Sequence, residues 1–159
     1  MTVDSVKLNN FRNITDLTLS ADEGVNVIYG ENAQGKTNIL EAIWLFTGCK
    51  SFRGSKDNEL IKFGEEIARI KLQFSDSVRE KQSEIVFSDK KKNISLNGVP
   101  LKSTGELISN FYAVIFSPDH LSLIKDGPSP RRRFLDTALC QLQPKYAQAL
   151  ANYKRTLLQ

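Results

Sequence analysis

Residues 30–37 read Gly-Glu-Asn-Ala-Gln-Gly-Lys-Thr, the spacing G-x-x-x-x-G-K-[ST] of a phosphate-binding loop, and the flanking segments supply the context that the pattern requires. Before it, residues 25–29 (Val-Asn-Val-Ile-Tyr) are β-branched and aromatic enough to predict a buried strand. After it, residues 38–46 form a strong helix-forming run. Strand, glycine loop and helix in that order point to nucleotide phosphate as the ligand.

The residue types explain the chemistry. Gly30 and Gly35 permit positive φ, so that a row of backbone N–H groups can line up against phosphate oxygens, with the partial positive charge of the helix start behind them. Glu31, Asn32, Ala33 and Gln34 complete the cradle, and Asn38 follows it on the helix. Lys36 offers a point charge to the β- and γ-phosphates. Thr37 offers a hydroxyl to Mg²⁺, which keeps several waters and bridges the same oxygens. Ile39, Leu40, Ala42, Ile43, Leu45 and Phe46 surround the helix almost completely, which predicts burial on most sides against a sheet.

The chain has 159 residues, 40% hydrophobic and 25% charged, enough for one core. Its opening residues show no basic segment leading into an apolar stretch, and no run approaches membrane-spanning length, so no membrane association is expected. Cys49 and Cys140 are far apart without ligand spacing, and one histidine, His120, cannot build a zinc site. A net charge of +4 mildly favours an acidic partner such as nucleic acid.

Residues 5–11 and 15–20 predict two short strands joined by a turn at Arg12-Asn13. Gly48 is a plausible helix stop, and residues 50–56 (Lys-Ser-Phe-Arg-Gly-Ser-Lys) read as a basic, aromatic-bearing surface loop. Ala68, Ile70, Leu72 and Phe74 share one face of a predicted strand, and Ile85 and Phe87 one face of the next. Asn97-Gly98 signals a hairpin that sets Ile94 and Leu96 against Val99 and Leu101. The antiparallel meander after the loop helix departs from the plain βαβα of a small kinase. An apolar run at residues 113–116 precedes Ser117-Pro118-Asp119. Ser129-Pro130 predicts the start of a helix with an apolar stripe of Leu135, Ala138, Leu139 and Leu142. A second helix begins near Lys145 and reaches Gln159 without a stop signal, which suggests a piece of a longer protein.

A phosphate-loop ATPase needs an acid at the end of a second apolar strand, and Asp119, three residues past residue 116 and beyond a proline, fits poorly. D-x-x-G and N-K-x-D, the guanine-nucleotide elements, are absent, so a small GTPase fits poorly too.

Leu8-Asn9-Asn10-Phe11-Arg12-Asn13, the loop with Asn38 and Leu40-Glu41-Ala42-Ile43, Lys50-Ser51-Phe52-Arg53, Phe116-Ser117-Pro118-Asp119-His120-Leu121, Gly127-Pro128 and Arg131-Arg132-Arg133-Phe134-Leu135-Asp136 follow one another in an order and spacing that resembles the RecF recombination-mediator family of bacteria. That family is related to the chromosome-organising and double-strand-break-repair ATPases. The resemblance implies an α/β phosphate-loop fold of the ABC-ATPase-head type, with residues 1–126 as the ATP-binding first lobe and residues 127–159 as the opening helices of a truncated second lobe. It further implies ATP and Mg²⁺ as cofactors and a homodimer that sandwiches ATP. DNA, single- or double-stranded and at gaps or junctions, is the implied partner, with other recombination mediators beside it. The implied setting is DNA replication, the SOS response to DNA damage and recombinase loading in the cytoplasm, at the nucleoid.

The family's signature serine segment, second acidic pair and late switch histidine are absent here, and no glutamine stands near Ser117-Pro118. Little or no hydrolysis by this chain is therefore expected, a weak ATPase being implied for the longer protein, and no residue is assigned a catalytic role. A complete small phosphoryl-transfer enzyme and a non-enzymatic DNA-binding module remain alternatives. By the same resemblance Arg12 and Asn13 approach the nucleotide; the alternative is a solvent-facing turn. Lys50, Arg53 and Lys56 are candidate DNA contacts. Lys90-Lys91-Lys92 read either as such contacts or as solvated charge in a hairpin connection. Arg131-Arg132-Arg133 oppose the dipole of the helix they open, so an anion or Asp136 should compensate them.

Overall fold

A computed structural model describes residues 1–89, 91–118, 122–125 and 127–157. Asp119, considered above as a metal acid, lies outside the described residues, as do Lys90, His120, Leu121, Asp126, Leu158 and Gln159.

Six strands form one sheet: β1 (Thr2–Phe11), β2 (Ile14–Ser20), β3 (Ile67–Ser75), β4 (Glu80–Ser88), β5 (Lys92–Leu96) and β6 (Val99–Leu101). They lie in the order β2-β1-β3-β4-β5-β6. Period-two alternation places Val6 and Leu8 of β1, Ala68, Ile70, Leu72 and Phe74 of β3, and Ile85 and Phe87 of β4 on one buried face. One cross-strand row spans the sheet, Leu17–Leu8–Ile70–Ile85–Ile94–Leu101, each residue opposite the next. Such rows of facing apolar side chains set the register, because a one-residue slip would turn every member towards water. The outer face is polar, with Lys71 opposite Glu84 and their charged groups 3.4 Å apart. Asn97 and Gly98, at φ 50° and 79°, close the expected β5–β6 hairpin.

α1 (Lys36–Leu45) lies on the inner face, where Ile39, Ala42, Leu45 and the following Phe46 join the sheet's core with Leu60, Leu107 and Phe111. Leu40 stays exposed, so one side of this helix is open where near-complete burial was expected. Gly48 ends the turn after α1 at φ 80°, and a Cβ there would meet the Thr104 carbonyl oxygen at 2.8 Å. Only glycine allows both the conformation and that approach.

Three expectations are corrected. Residues 25–29 form no strand: Val25 is 91% and Tyr29 89% exposed, and β1 takes β3 rather than this run as its second neighbour. Residues 113–116 likewise form no strand, with Val114 95% exposed. A buried strand needs ladder partners as well as an apolar sequence, and every strand pairing among the described residues is used within the antiparallel meander. Among the described residues the sheet is accordingly antiparallel throughout. The third helix in the chain, α3 (Pro128–Leu142), begins before Ser129, with Gly127 as its cap and two prolines in the first turn, where missing N–H groups cost nothing. It follows the short α2 (Ser122–Lys125) and packs on α4 (Pro144–Leu157). Leu135, Leu139 and Leu142 of the predicted stripe remain exposed, as do Tyr153 and Leu157.

Asp136 accepts from the Tyr146 hydroxyl at 2.6 Å and lies 4.0 Å from Lys154 rather than pairing with Arg132, which donates to Ser129 Oγ at 3.5 Å. That hydrogen bond to Asp136 holds the Tyr146 hydroxyl above its usual pKa.

The two faces of β4 should respond differently to truncation. Ile85→Ala, at the centre of the apolar row, is expected to cost about 2–5 kcal/mol, whereas Glu84→Ala beside it should cost about 1 kcal/mol or less. Urea unfolding of the two variants checks this; equal losses would contradict the one-sided core.

Candidate nucleotide-binding site

Gly30 (φ 145°), Ala33 (φ 65°) and Gly35 (φ 91°) carry the chain through the left-handed and extended-positive region, and Gly35 is the backbone cap of α1. The loop from Gly30 to Gln34 is exposed, as is Thr37. The Lys36 ammonium donates to the carbonyl oxygens of Gly30 at 2.8 Å and Glu31 at 2.5 Å. It therefore already lies across the mouth of the loop, held by the acceptors that a phosphate would replace. A side chain on Gly35 would strike Asn13 Oδ1 at 2.9 Å and Ile14 Cγ1 at 3.2 Å, so this glycine is fixed by close packing as well as by its φ.

Behind the loop stands Glu41, one turn further along α1 and 0% exposed. Arg12 grips it with two bonds, Nε to Oε2 at 3.0 Å and Nη2 to Oε1 at 2.8 Å. Ser51 adds a third at 2.5 Å, and Arg53 Nη1 lies 3.7 Å from Oε2. Arg12 also donates to the Glu59 carbonyl at 2.9 Å and to Ser55 Oγ at 2.5 Å. These bonds hold Arg12 at φ 58°, a conformation that costs a non-glycine residue about 1–2 kcal/mol. The predicted approach of Arg12 to a ligand thus takes the form of a guanidinium whose donors are committed to the scaffold beside the loop.

Asn13 donates to the Ala33 carbonyl at 2.8 Å and accepts from Asn38 Nδ2 at 2.8 Å; Asn38 Oδ1 accepts from Arg53 Nη1 at 2.8 Å. Arg12, Asn13, Asn38 and Arg53 line a cavity of about 560 Å³ with Glu59, Ile61, Lys62 and Phe63. Sequence reading missed the last four. Their place is set by long-range bonds, Arg12 N–H to the Leu60 carbonyl at 2.8 Å and Lys62 N–H to the Asn10 carbonyl at 2.9 Å. Phe63 stands fully exposed beside this cavity, which only the structure reveals. The signal that the sequence does carry is Glu41, a lone acid in an apolar helix.

The residues expected to meet DNA divide. Lys50 and Lys56 are exposed on the loop, while Arg53 is tied to Asn38 and approaches Glu41. Lys92 is not a solvated charge: its ammonium sits 5.1 Å above the Phe87 ring and 3.6 Å from Asp57, and burial lowers its pKa against the pull of Asp57. Arg131, Arg132 and Arg133 are exposed. Burial pushes the Cys49 thiol upward, so it stays protonated near neutrality.

The loop can seat phosphate on backbone N–H groups and on Lys36 once the lysine leaves its two carbonyls. Thr37 can supply one oxygen to a divalent cation. No cluster of three or more acidic, histidine or cysteine side chains that could hold a metal occurs among the described residues.

The chain as a whole is similar to known proteins in sequence and in fold. Residues 5–144 match the AAA domain family. The DNA replication and repair protein RecF of Lachnoclostridium phytofermentans is 45% identical over 160 residues, and that of Lachnospira eligens 46% identical over 160 residues; each alignment takes in 100% of this chain and 44% of the relative. A solved structure of the recombination mediator protein RecF with ATP, in the RecFOR pathway, superposes with a TM-score of 0.92 at 44% identity, over 98% of this chain and 42% of that one. The SMC head domain from Thermotoga maritima shares the fold, with a TM-score of 0.62 at 17% identity over 80% of this chain and 52% of that one. The chain thus spans less than half the length of the curated relatives it matches.

Removing the carboxylate behind the loop tests how far the site depends on it. Glu41→Ala leaves the Arg12 guanidinium part-buried without its counter-ion, and is expected to cost about 3–5 kcal/mol. Glu41→Gln, which keeps the shape and one acceptor, should cost less. Chemical denaturation measures both, and a loss below about 1 kcal/mol for Glu41→Ala would show that the pair is not structural.

Proposed function

The chain belongs to the AAA domain family and is a homologue of the DNA replication and repair protein RecF, and from that premise we propose that it binds ATP at residues 30–38 as the nucleotide-binding part of an ATP-gated DNA repair protein. The observation that carries this reading is the shaped loop: left-handed Ala33 and Gly35 at the start of α1, with Lys36 resting on two carbonyl oxygens. Backbone N–H groups and the helix dipole would bind the phosphates, and Lys36 would exchange its carbonyls for them. Thr37 would hold Mg²⁺, whose charge offsets that of the β- and γ-phosphates. The cavity from Arg12 to Phe63 would receive the base and ribose, with the Phe63 ring as an apolar wall.

Residues 1–126 would form the first lobe and residues 127–159 the opening of a second. In the longer protein, ATP would pair two such heads on DNA and support recombinase loading at gaps, with weak hydrolysis that this chain alone lacks the acids to perform. Pairing two heads doubles the cationic surface, including Lys50, Arg53 and Lys56, and raises DNA affinity by avidity.

Two measurements test the reading. ATP titration of the chain should show binding that Lys36→Ala abolishes; equal binding by both would remove the loop from the site. DNA affinity of the full-length protein should fall steeply with salt, show little sequence preference, and rise with ATP in a manner lost in Lys36→Ala. An affinity indifferent to salt and nucleotide would refute the ATP-gated clamp while leaving ATP binding intact.

A further inference from the structure

The phosphate loop is exposed from Gly30 to Gln34, yet it holds a non-glycine residue, Ala33, in the left-handed region at φ 65°. L-residues disfavour that conformation because Cβ crowds the backbone, so something must hold Ala33 there. The bond from Asn13 Nδ2 to the Ala33 carbonyl, at 2.8 Å, is a direct tie between the middle of the loop and the β1–β2 turn. Asn13 is itself fixed from behind. Arg53 donates to Asn38, and Asn38 donates to Asn13, each at 2.8 Å.

The direction of this relay is determined by its ends. A guanidinium only donates and a carbonyl oxygen only accepts, so both intervening amides must be oriented with oxygen towards Arg53 and nitrogen towards the loop. Asn13 also abuts Gly35, where a Cβ would come within 2.9 Å of its Oδ1. One side chain therefore constrains two of the loop's positive-φ positions. This relay of two amides, anchored on α1 and on the 50–56 loop, makes the turn a rigid stop against which the loop is shaped.

We propose that Asn13 is a positioning residue for the nucleotide: it holds Ala33 left-handed, so that the loop has its phosphate-binding shape before the ligand arrives. The assignment rests on the nucleotide-binding reading above. It differs from direct contact with the nucleotide, because both ends of the Asn13 amide are already engaged within the protein. Preorganisation of this kind raises affinity by removing the ordering cost from the binding step.

The test is calorimetric titration of ATP with Mg²⁺ into the full chain and its variants. Asn13→Ala should weaken binding about tenfold, with little change in melting temperature because Asn13 is exposed. Glycine enters the left-handed region without a Cβ penalty, so in an Ala33→Gly background the same Asn13→Ala change should cost less than about threefold. Asn13→Leu, which keeps the volume and removes both hydrogen-bonding groups without adding charge, should repeat both results and serves if the alanine variant folds poorly. Undiminished binding by Asn13→Ala, or a tenfold loss that persists in the Ala33→Gly background, would overturn the assignment, the second result pointing to direct ligand contact. Lys36→Ala separates the two levels of the argument: if it binds ATP as well as the unaltered chain does, the nucleotide site itself is wrong, and the role of Asn13 falls with it.

Discussion

A carboxylate with no access to water, Glu41, is the constraint on which the site is built. An ionised group in that position is tolerable only if its charge and lone pairs are matched, and Arg12, Ser51 and Arg53 match them. They come from two segments outside the helix: Arg12 from the β1–β2 turn, and Ser51 and Arg53 from the basic loop after α1. The requirement to satisfy one buried acid therefore fixes the turn, the helix and the loop relative to one another. It also sustains the left-handed backbone of Arg12, which the residue would not adopt unaided.

From that anchor the polar geometry propagates outward to the phosphate loop. Asn13 follows Arg12 in the turn, and Asn38 lies one turn before Glu41 on α1, so fixing the Arg12–Glu41 pair brings the two amides into register. The sheet supplies the rigid platform beneath. Its apolar cross-strand pairs fix the end of β1, and the turn that carries Arg12 and Asn13 can only emerge where β1 and β2 stop pairing, at Phe11 and Ile14. Function-bearing groups thus sit on loops while their positions derive from a packed scaffold.

The surfaces left open differ in kind. The outer sheet face is polar and balanced by pairs such as Lys71–Glu84, as suits an antiparallel sheet with one wet side. Val25, Val27, Tyr29 and Val114, with Leu135 and Leu142 of α3 and Tyr153 and Leu157 of α4, are apolar and exposed. The chain spans less than half the length of its RecF relatives.

Local rules determined what local sequence can determine. The glycine spacing placed the loop, period-two alternation placed the inner faces of β3 and β4, and Asn97-Gly98 placed the hairpin, because each depends on backbone sterics or side-chain direction over a few residues. The family resemblance was legible for the same reason, in the order of short motifs. Tertiary structure alone decided the rest. Residues 25–29 have the composition of a core strand, but a strand exists only where a partner offers a ladder, and β1 takes β2 and β3. Asp136 stood four residues from Arg132 and pairs instead across the helix interface with Tyr146 and Lys154. Lys92 looked like solvated charge until the fold set it over Phe87 and beside Asp57. Glu41 could be seen as an acid in an apolar helix, while the partners that make its burial possible lie 29, 10 and 12 residues away. Charges and edge groups are satisfied by whatever the whole chain brings near them, and that is a property of the fold, not of the segment.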